Sequence, residues 1–225
     1  MTKPKQLTFP WSRKFSSQID NYYFDINNES LKNSLFETND LIISGSNAVG
    51  KTFILQAICN FYTQKNKTSL YIPLKDVSNL GAEILDSLEN IHLICFDDID
   101  QIQKDQQWEV AIFNLVNACL ISGSRIILST KYRIHELQFN LLDLESRIKK
   151  FEYCELKHVE DKNLKNALLF IANKRSIALG PKEIDYLLTY TKRSLKSLID
   201  ILDQLDELSM QLKRRITIPL IKKII

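Results

Sequence analysis

The sequence predicts an α/β chain: a three-layer domain with a parallel sheet between helices, followed by a small all-α domain. Three observations predict it. Between residues 21 and 157, short apolar runs alternate with longer stretches whose apolar residues recur every three or four positions. The first of these junctions carries Gly45-Ser46-Asn47-Ala48-Val49-Gly50-Lys51-Thr52, a match to G-x-x-x-x-G-K-T/S. After residue 158 the strand-like runs stop and only helical periodicity continues.

Residues 1–20 are polar, contain Pro4 and Pro10, and read as a tail, interrupted by the apolar-aromatic stretch Leu7, Phe9 and Trp11. The strand-like runs are Leu41–Ser44, Leu70–Ile72, Ile91–Phe96, Arg125–Ser129 and Phe151–Leu156. Amphipathic helices are expected at Thr52–Tyr62 and Trp108–Ile121. In the C-terminal part, residues 158–225, helices are expected at about 160–178, 181–191 and 193–211. A last one follows Thr217 as N-cap, with Pro219 near its first turn.

The bulk numbers exclude several classes. A charge of +3 from 30 basic and 27 acidic residues is too balanced for a protein that coats nucleic acid. Four scattered cysteines and three histidines, without C-x-x-C, suggest neither a disulfide framework nor a zinc site. No stretch is long and apolar enough to span a membrane, and a soluble, cytoplasmic protein is expected. Glycine is scarce, five residues in all, and two of them fall inside the eight-residue motif.

That motif requires its residue types. Glycines let the backbone curl so that N–H groups face a β-phosphate, and the next helix presents its positive end to the charge. Lys51 is expected to reach the β- and γ-phosphates and Thr52 to hold Mg²⁺. About 45 residues on, the apolar run Ile91–Phe96 ends in Asp97 and Asp98. Adjacent carboxylates at the end of a buried strand suit a metal shell (Asp97) and the orientation of an attacking water (Asp98).

The chain resembles the AAA+ branch of P-loop ATPases, within it the DnaA-related group, and there the Hda family of regulatory inactivators. The resemblance spans nearly the whole chain. It is carried by Asp20-Asn21-Tyr22-Tyr23-Phe24, the Gly45–Thr52 loop, Ile94-Cys95-Phe96-Asp97-Asp98-Ile99, Leu144-Glu145-Ser146-Arg147 and Thr217-Ile218-Pro219. Two runs are specific to Hda: Trp108-Glu109-Val110-Ala111-Ile112-Phe113 and Leu202-Asp203-Gln204-Leu205-Asp206.

The resemblance implies ATP or ADP with Mg²⁺ as ligands, and roles for further residues. Arg147 matches the arginine finger offered to a neighbouring subunit's nucleotide. Lys196 stands where the family generally has the sensor-2 arginine, and Arg193, one turn earlier, is a substitute for it. Thr130 is the hydroxyl at sensor 1, where Lys131 replaces an acid and puts the protein's own ATPase in question. Tyr23 and Phe24 match the segment that flanks adenine. Gln6, Leu7, Phe9 and Pro10 resemble the peptide that binds the sliding clamp (the β subunit of DNA polymerase III).

The implied partners are therefore DnaA and the clamp, with DNA reached mainly through the clamp, nucleoid association in a bacterial cytoplasm, and self-association left open. The implied function is to stimulate hydrolysis of DnaA-bound ATP in trans and so inactivate the initiator. Two alternatives stand beside it: an initiator- or helicase-loader-like ATPase that binds DNA directly, and a free-standing P-loop enzyme acting on a small molecule.

Overall fold

Among the described residues, five strands form one parallel sheet in the order β2-β3-β4-β1-β5. They are β1 (Leu41–Ser44), β2 (Ser69–Pro73), β3 (Leu93–Asp97), β4 (Arg125–Thr130) and β5 (Glu152–Glu155). The computed structural model describes residues 17–212 and 214–225. The expected clamp-binding residues Gln6, Leu7, Phe9 and Pro10 lie outside the described residues. Every apolar run expected to be a strand is one, with ends displaced by two residues at most.

The two-residue period of each strand sorts the core into two layers. Leu41, Ile43, Leu93, Cys95 and Ile127 face Leu31 of α1 (Glu29–Ser34) and Ile54, Leu55 and Ile58 of α2 (Lys51–Gln64). Ile42, Ile94, Phe96, Ile126 and Leu128 face the other way. They pack on Trp108, Ile112 and Leu115 of α4 (Gln106–Ser122) and on Leu144 and Ile148 of α5 (Leu142–Ile148). A short helix, α3 (Leu74–Val77), follows β2. Strands covered on both faces read as continuous apolar runs rather than alternating ones, which is how they stand in the sequence.

One buried cation belongs to this frame. Arg125 opens β4, and its guanidinium donates to the carbonyls of Ser34, Leu35 and Asn39, each at 2.8 Å, closing the chain after α1. Those carbonyls have few other donors in a helix end, so the cation is stabilised by them rather than by a carboxylate.

Beyond β5 the chain is helical: α6 (Leu164–Lys174), α7 (Pro181–Tyr190), α8 (Leu195–Leu212) and α9 (Ile218–Ile221). These helices share their own core, with Leu168, Ile184, Leu187, Leu198, Leu202 and Leu205 fully buried. Pro181 opens α7, and the Ser194 hydroxyl accepts from the backbone N–H of Ser197 to cap α8. Thr217 precedes α9 as expected, but its side chain makes no capping bond; its carbonyl alone takes the Leu220 and Ile221 N–H groups.

The stretch leading to α6 is clasped by the segment before α1. Asn28 exchanges two hydrogen bonds with the Lys157 backbone, and Asn27 donates to Glu160. Asp25, almost fully buried, accepts from Ile26, Glu160 and Asn163. Burial alone would raise its pKa; the hydrogen bonds from Asn163, Glu160 and Ile26, with the charge of Lys162, outweigh burial and hold it below the usual carboxylate value.

A depressed pKa means the stabilisation is present above the unfolded carboxylate value, roughly pH 4, and is lost as pH falls through the folded one. Asp25→Asn is therefore expected to melt lower than the wild type at pH 7, with the difference shrinking as the pH approaches 3. Thermal melts across that range check it, and a difference that does not shrink overturns it.

Candidate nucleotide site

The Gly45–Thr52 loop leaves the carboxyl end of β1, the edge at which open parallel sheets bind ligands. Two close approaches explain its glycines. A Cβ on Gly45 would sit 2.7 Å from the Leu156 carbonyl oxygen, and one on Gly50 would sit 2.7 Å from the ring of Tyr22. Gly50 also has φ +106°, a conformation side-chain-bearing residues rarely adopt. The bare backbone is thus demanded by protein neighbours as well as by the shape a phosphate needs. Tyr22 further donates its hydroxyl to the Val49 carbonyl at 2.8 Å, fastening the loop's far side.

Lys51, the first residue of α2, is buried, and its ammonium donates to the carbonyls of Gly45 (2.7 Å) and Ser46 (3.2 Å). Burial lowers its pKa, and the nearby carboxylates of Asp98, Asp97 and Asp100 partly offset that. The charge is thereby held against the loop, where helix N-terminus and ammonium add to one positive field. At the loop's other flank, the Ser46 hydroxyl lies 2.7 Å from Nε2 of His158.

Asp97, at the end of β3, takes three hydroxyl donors. Thr52 (2.6 Å) and Tyr71 (2.7 Å) donate to Oδ2, and Ser129 donates to Oδ1. Ser129 in turn accepts from the Asp98 backbone N–H at 2.8 Å. Asp98 has a left-handed backbone, φ 57°, and its carboxylate makes no hydrogen bond among the described residues. Burial raises its pKa, and Asp97 and Asp100 add to the rise.

Thr130 ends β4, where sensor 1 is expected, but its hydroxyl is turned away from Asp97. Its hydroxyl is fully buried, donates to Asp100 at 3.0 Å and accepts from the Tyr132 N–H. The strand period is the reason: along β4, Ser129 shares the face of Asp97, and Thr130 points to the opposite layer. Lys131 is tied to the same Asp100, Nζ to Oδ2 at 3.2 Å. The third carboxylate, Asp100, was not read from the sequence, although its spacing from Asp97 in one acidic cluster was visible.

A hydrated divalent cation fits this chemistry. The Thr52 proton is committed to Asp97, leaving the hydroxyl oxygen's lone pairs for a cation, and Asp97 keeps one of its about four acceptor sites for a metal-bound water. Among the described residues no group of three His, Cys, Asp or Glu side chains is placed to hold a metal, so phosphate oxygens would have to complete the shell.

The other expected residues fall into two places. Tyr23 packs at a steep tilt against Phe170 of α6, ring centroids 5.6 Å apart, whereas Phe24 packs against Tyr22 (4.7 Å) over the α2 layer. Lys196 is exposed in the first turn of α8. Arg193 is not one turn earlier on that helix, because α8 begins at Leu195; it sits in the preceding turn, 3.7 Å from Asp161. The serine cap at Ser194 ends the turn and starts the helix there.

Arg147 lies apart from all of these. It is half-buried near the end of α5 and lines a cleft of about 530 Å³ with Asp40, Ser124, Lys150 and Glu152. Its guanidinium makes no hydrogen bond or ion pair among the described residues. Asp40, Ser124 and Glu152 stand at the amino ends of β1, β4 and β5. The loop that holds Lys51 leaves the carboxyl end of β1, so the four residues of that strand, roughly 13 Å, separate the two edges.

A family model for the lid domain of Hda matches residues 161–225. In an alignment of 228 positions covering 98% of this chain and 98% of the relative, the sequence is 33% identical to an uncharacterized protein of Haemophilus influenzae. The chain belongs to the Hda-like, DnaA-related proteins.

Solved structures agree on the fold of this Hda-like protein. Domain III of the Thermotoga maritima replication initiation protein DnaA superposes with a TM-score of 0.78 at 16% identity, covering 92% of this chain and 94% of that one. AMPPCP-bound DnaA from Aquifex aeolicus gives 0.72 at 20% identity, covering 85% of this chain and 65% of that one. The RuvB Holliday junction branch migration motor of Thermotoga maritima gives 0.61 at 16% identity, covering 92% of this chain and 70% of that one.

The run Trp108-Glu109-Val110-Ala111-Ile112-Phe113 has a structural explanation in this Hda-like chain. Trp108 is core, and Glu109, fully buried, accepts from the backbone N–H groups of Lys104, Asn140 and Leu141. It anchors the start of α5, the helix that carries Arg147. Nothing in the sequence marks Glu109 as buried; a charged residue next to a tryptophan on an amphipathic helix reads as solvent-facing.

Proposed function

We propose that this DnaA-related replication regulator binds ADP or ATP at Gly45–Thr52 and offers Arg147 to ATP held by an adjacent DnaA, accelerating its hydrolysis and so inactivating the initiator. The observation that carries the reading is the position of Arg147, unpaired among the described residues and at the sheet edge away from its own Lys51. A guanidinium there serves a neighbour's phosphates, not its own, and neutralises the charge that develops on transfer.

The nucleotide part rests on the loop, the buried Lys51 and the Thr52–Asp97 pair. The AMPPCP held by the related Aquifex DnaA supports an adenine nucleotide. When bound, Mg²⁺ would be held through Thr52 and, across water, Asp97, and would supply charge neutralisation at the phosphates. Asp98 is the carboxylate left to orient water, but Thr130 and Lys131 are both turned to Asp100. That arrangement favours slow turnover by the protein itself and a role exerted on DnaA.

Within this reading, Gln6, Leu7, Phe9 and Pro10 tether the protein to the DNA-loaded sliding clamp. A short peptide burying two or three side chains binds modestly, and the tether works by raising local concentration. The test is hydrolysis of DnaA-bound ATP, measured with the protein alone, with clamp, and with clamp on DNA. Stimulation that requires loaded clamp is expected; none under any condition overturns the function. A clamp pull-down indifferent to Gln6→Ala with Leu7→Ala removes the tether alone.

A further inference from the structure

Asp97 is more heavily committed than a phosphate site of this kind requires. Two of its three donors, Thr52 and Ser129, come from the ends of elements that frame the nucleotide loop. The third, Tyr71, reaches over from the neighbouring strand β2, where its register partner is Cys95, two residues before Asp97 on the same face. Gln56 on α2 bonds the same phenol, so the hydroxyl is set from two sides.

We infer that Tyr71 is a positioning residue that competes with a divalent cation for Asp97, so that this protein holds ADP with little help from Mg²⁺. Each lone pair that accepts a hydroxyl proton is unavailable to a cation or its water, and each such bond disperses the carboxylate's charge. With both sites on Oδ2 filled by Thr52 and Tyr71 and one on Oδ1 by Ser129, a single site is left. Affinity for the nucleotide then comes chiefly from the loop's N–H groups and Lys51.

The inference rests on the nucleotide reading above, and one experiment separates the two. ADP binding to the full chain is measured by calorimetry in excess MgCl₂ and in excess EDTA. For the wild type the two dissociation constants are expected to differ by less than about threefold, and for Tyr71→Phe by about tenfold or more, tighter with Mg²⁺. A melt with and without ADP verifies that the variant folds. Should it not, Gln56→Leu loosens the phenol from its other side and is expected to shift the ratio in the same direction. A wild-type ratio of about tenfold, or variants whose ratio equals the wild type's, overturns the role of Tyr71 and leaves the nucleotide reading intact. Absence of ADP binding in both buffers overturns the nucleotide reading and the inference with it.

Discussion

Replacing Arg147 with alanine is expected to reduce the stimulated hydrolysis of DnaA-bound ATP by about 10³-fold, or to the unstimulated rate, while the protein's own ADP binding and clamp binding stay at wild-type level. The size follows from what a finger supplies: a fixed, permanently charged fork aimed at oxygens that gain charge in the transition state. The selectivity follows from geometry. The Arg147 guanidinium holds no ion pair or hydrogen bond among the described residues, so truncating it unpairs nothing, and it stands the length of β1 away from Lys51. Arg147→Lys keeps the charge and loses the fork, so it is expected to fall between wild type and alanine. Single-turnover hydrolysis of DnaA–ATP in the presence of loaded clamp decides the matter, and undiminished stimulation by Arg147→Ala would falsify the trans mechanism.

Glu109→Ala is expected to be strongly destabilising, comparable to truncating a core residue of α4. The carboxylate accepts three backbone N–H groups at 2.8, 3.1 and 2.8 Å and has no exposure to solvent. Truncation orphans those donors in the interior and leaves a void, a loss of about 3 kcal/mol or more. For a chain of this size that corresponds to a melting point lower by roughly 6–12 °C. Because Asn140 and Leu141 lead into α5, the variant should also lose stimulation of DnaA at temperatures where it is still folded. A melting point within about 2 °C of the wild type would show that the anchor carries little of the stability.

The sheet was legible because strands covered on both faces leave unbroken apolar runs, and Leu41–Ser44 and Arg125–Ser129 could scarcely be anything else. The Gly45–Thr52 loop was legible because the motif fixes residue types at fixed spacing between a strand and a helix, and that junction is present. What stayed hidden were contacts made across the sheet. Tyr71 is one aromatic in an ordinary strand until the register places it below Asp97, and Ser129 differs from Thr130 only in the face it takes. The same blindness applies to Arg125, whose three carbonyl partners lie more than 80 residues earlier in the chain. Spacing along the chain carries local geometry well and pairing between distant segments hardly at all.

The opposite placement of Arg147 and the Lys51 loop has a consequence for assembly. A contact that lays the Arg147 edge of one molecule on the Lys51-loop edge of the next joins patches at opposite edges of the sheet, so one two-fold contact does not satisfy both. Each added subunit presents a fresh nucleotide edge at one end and a fresh arginine at the other. Growth through such a contact is directional and stops only by closing into a ring or by meeting a subunit that lacks one of the two patches.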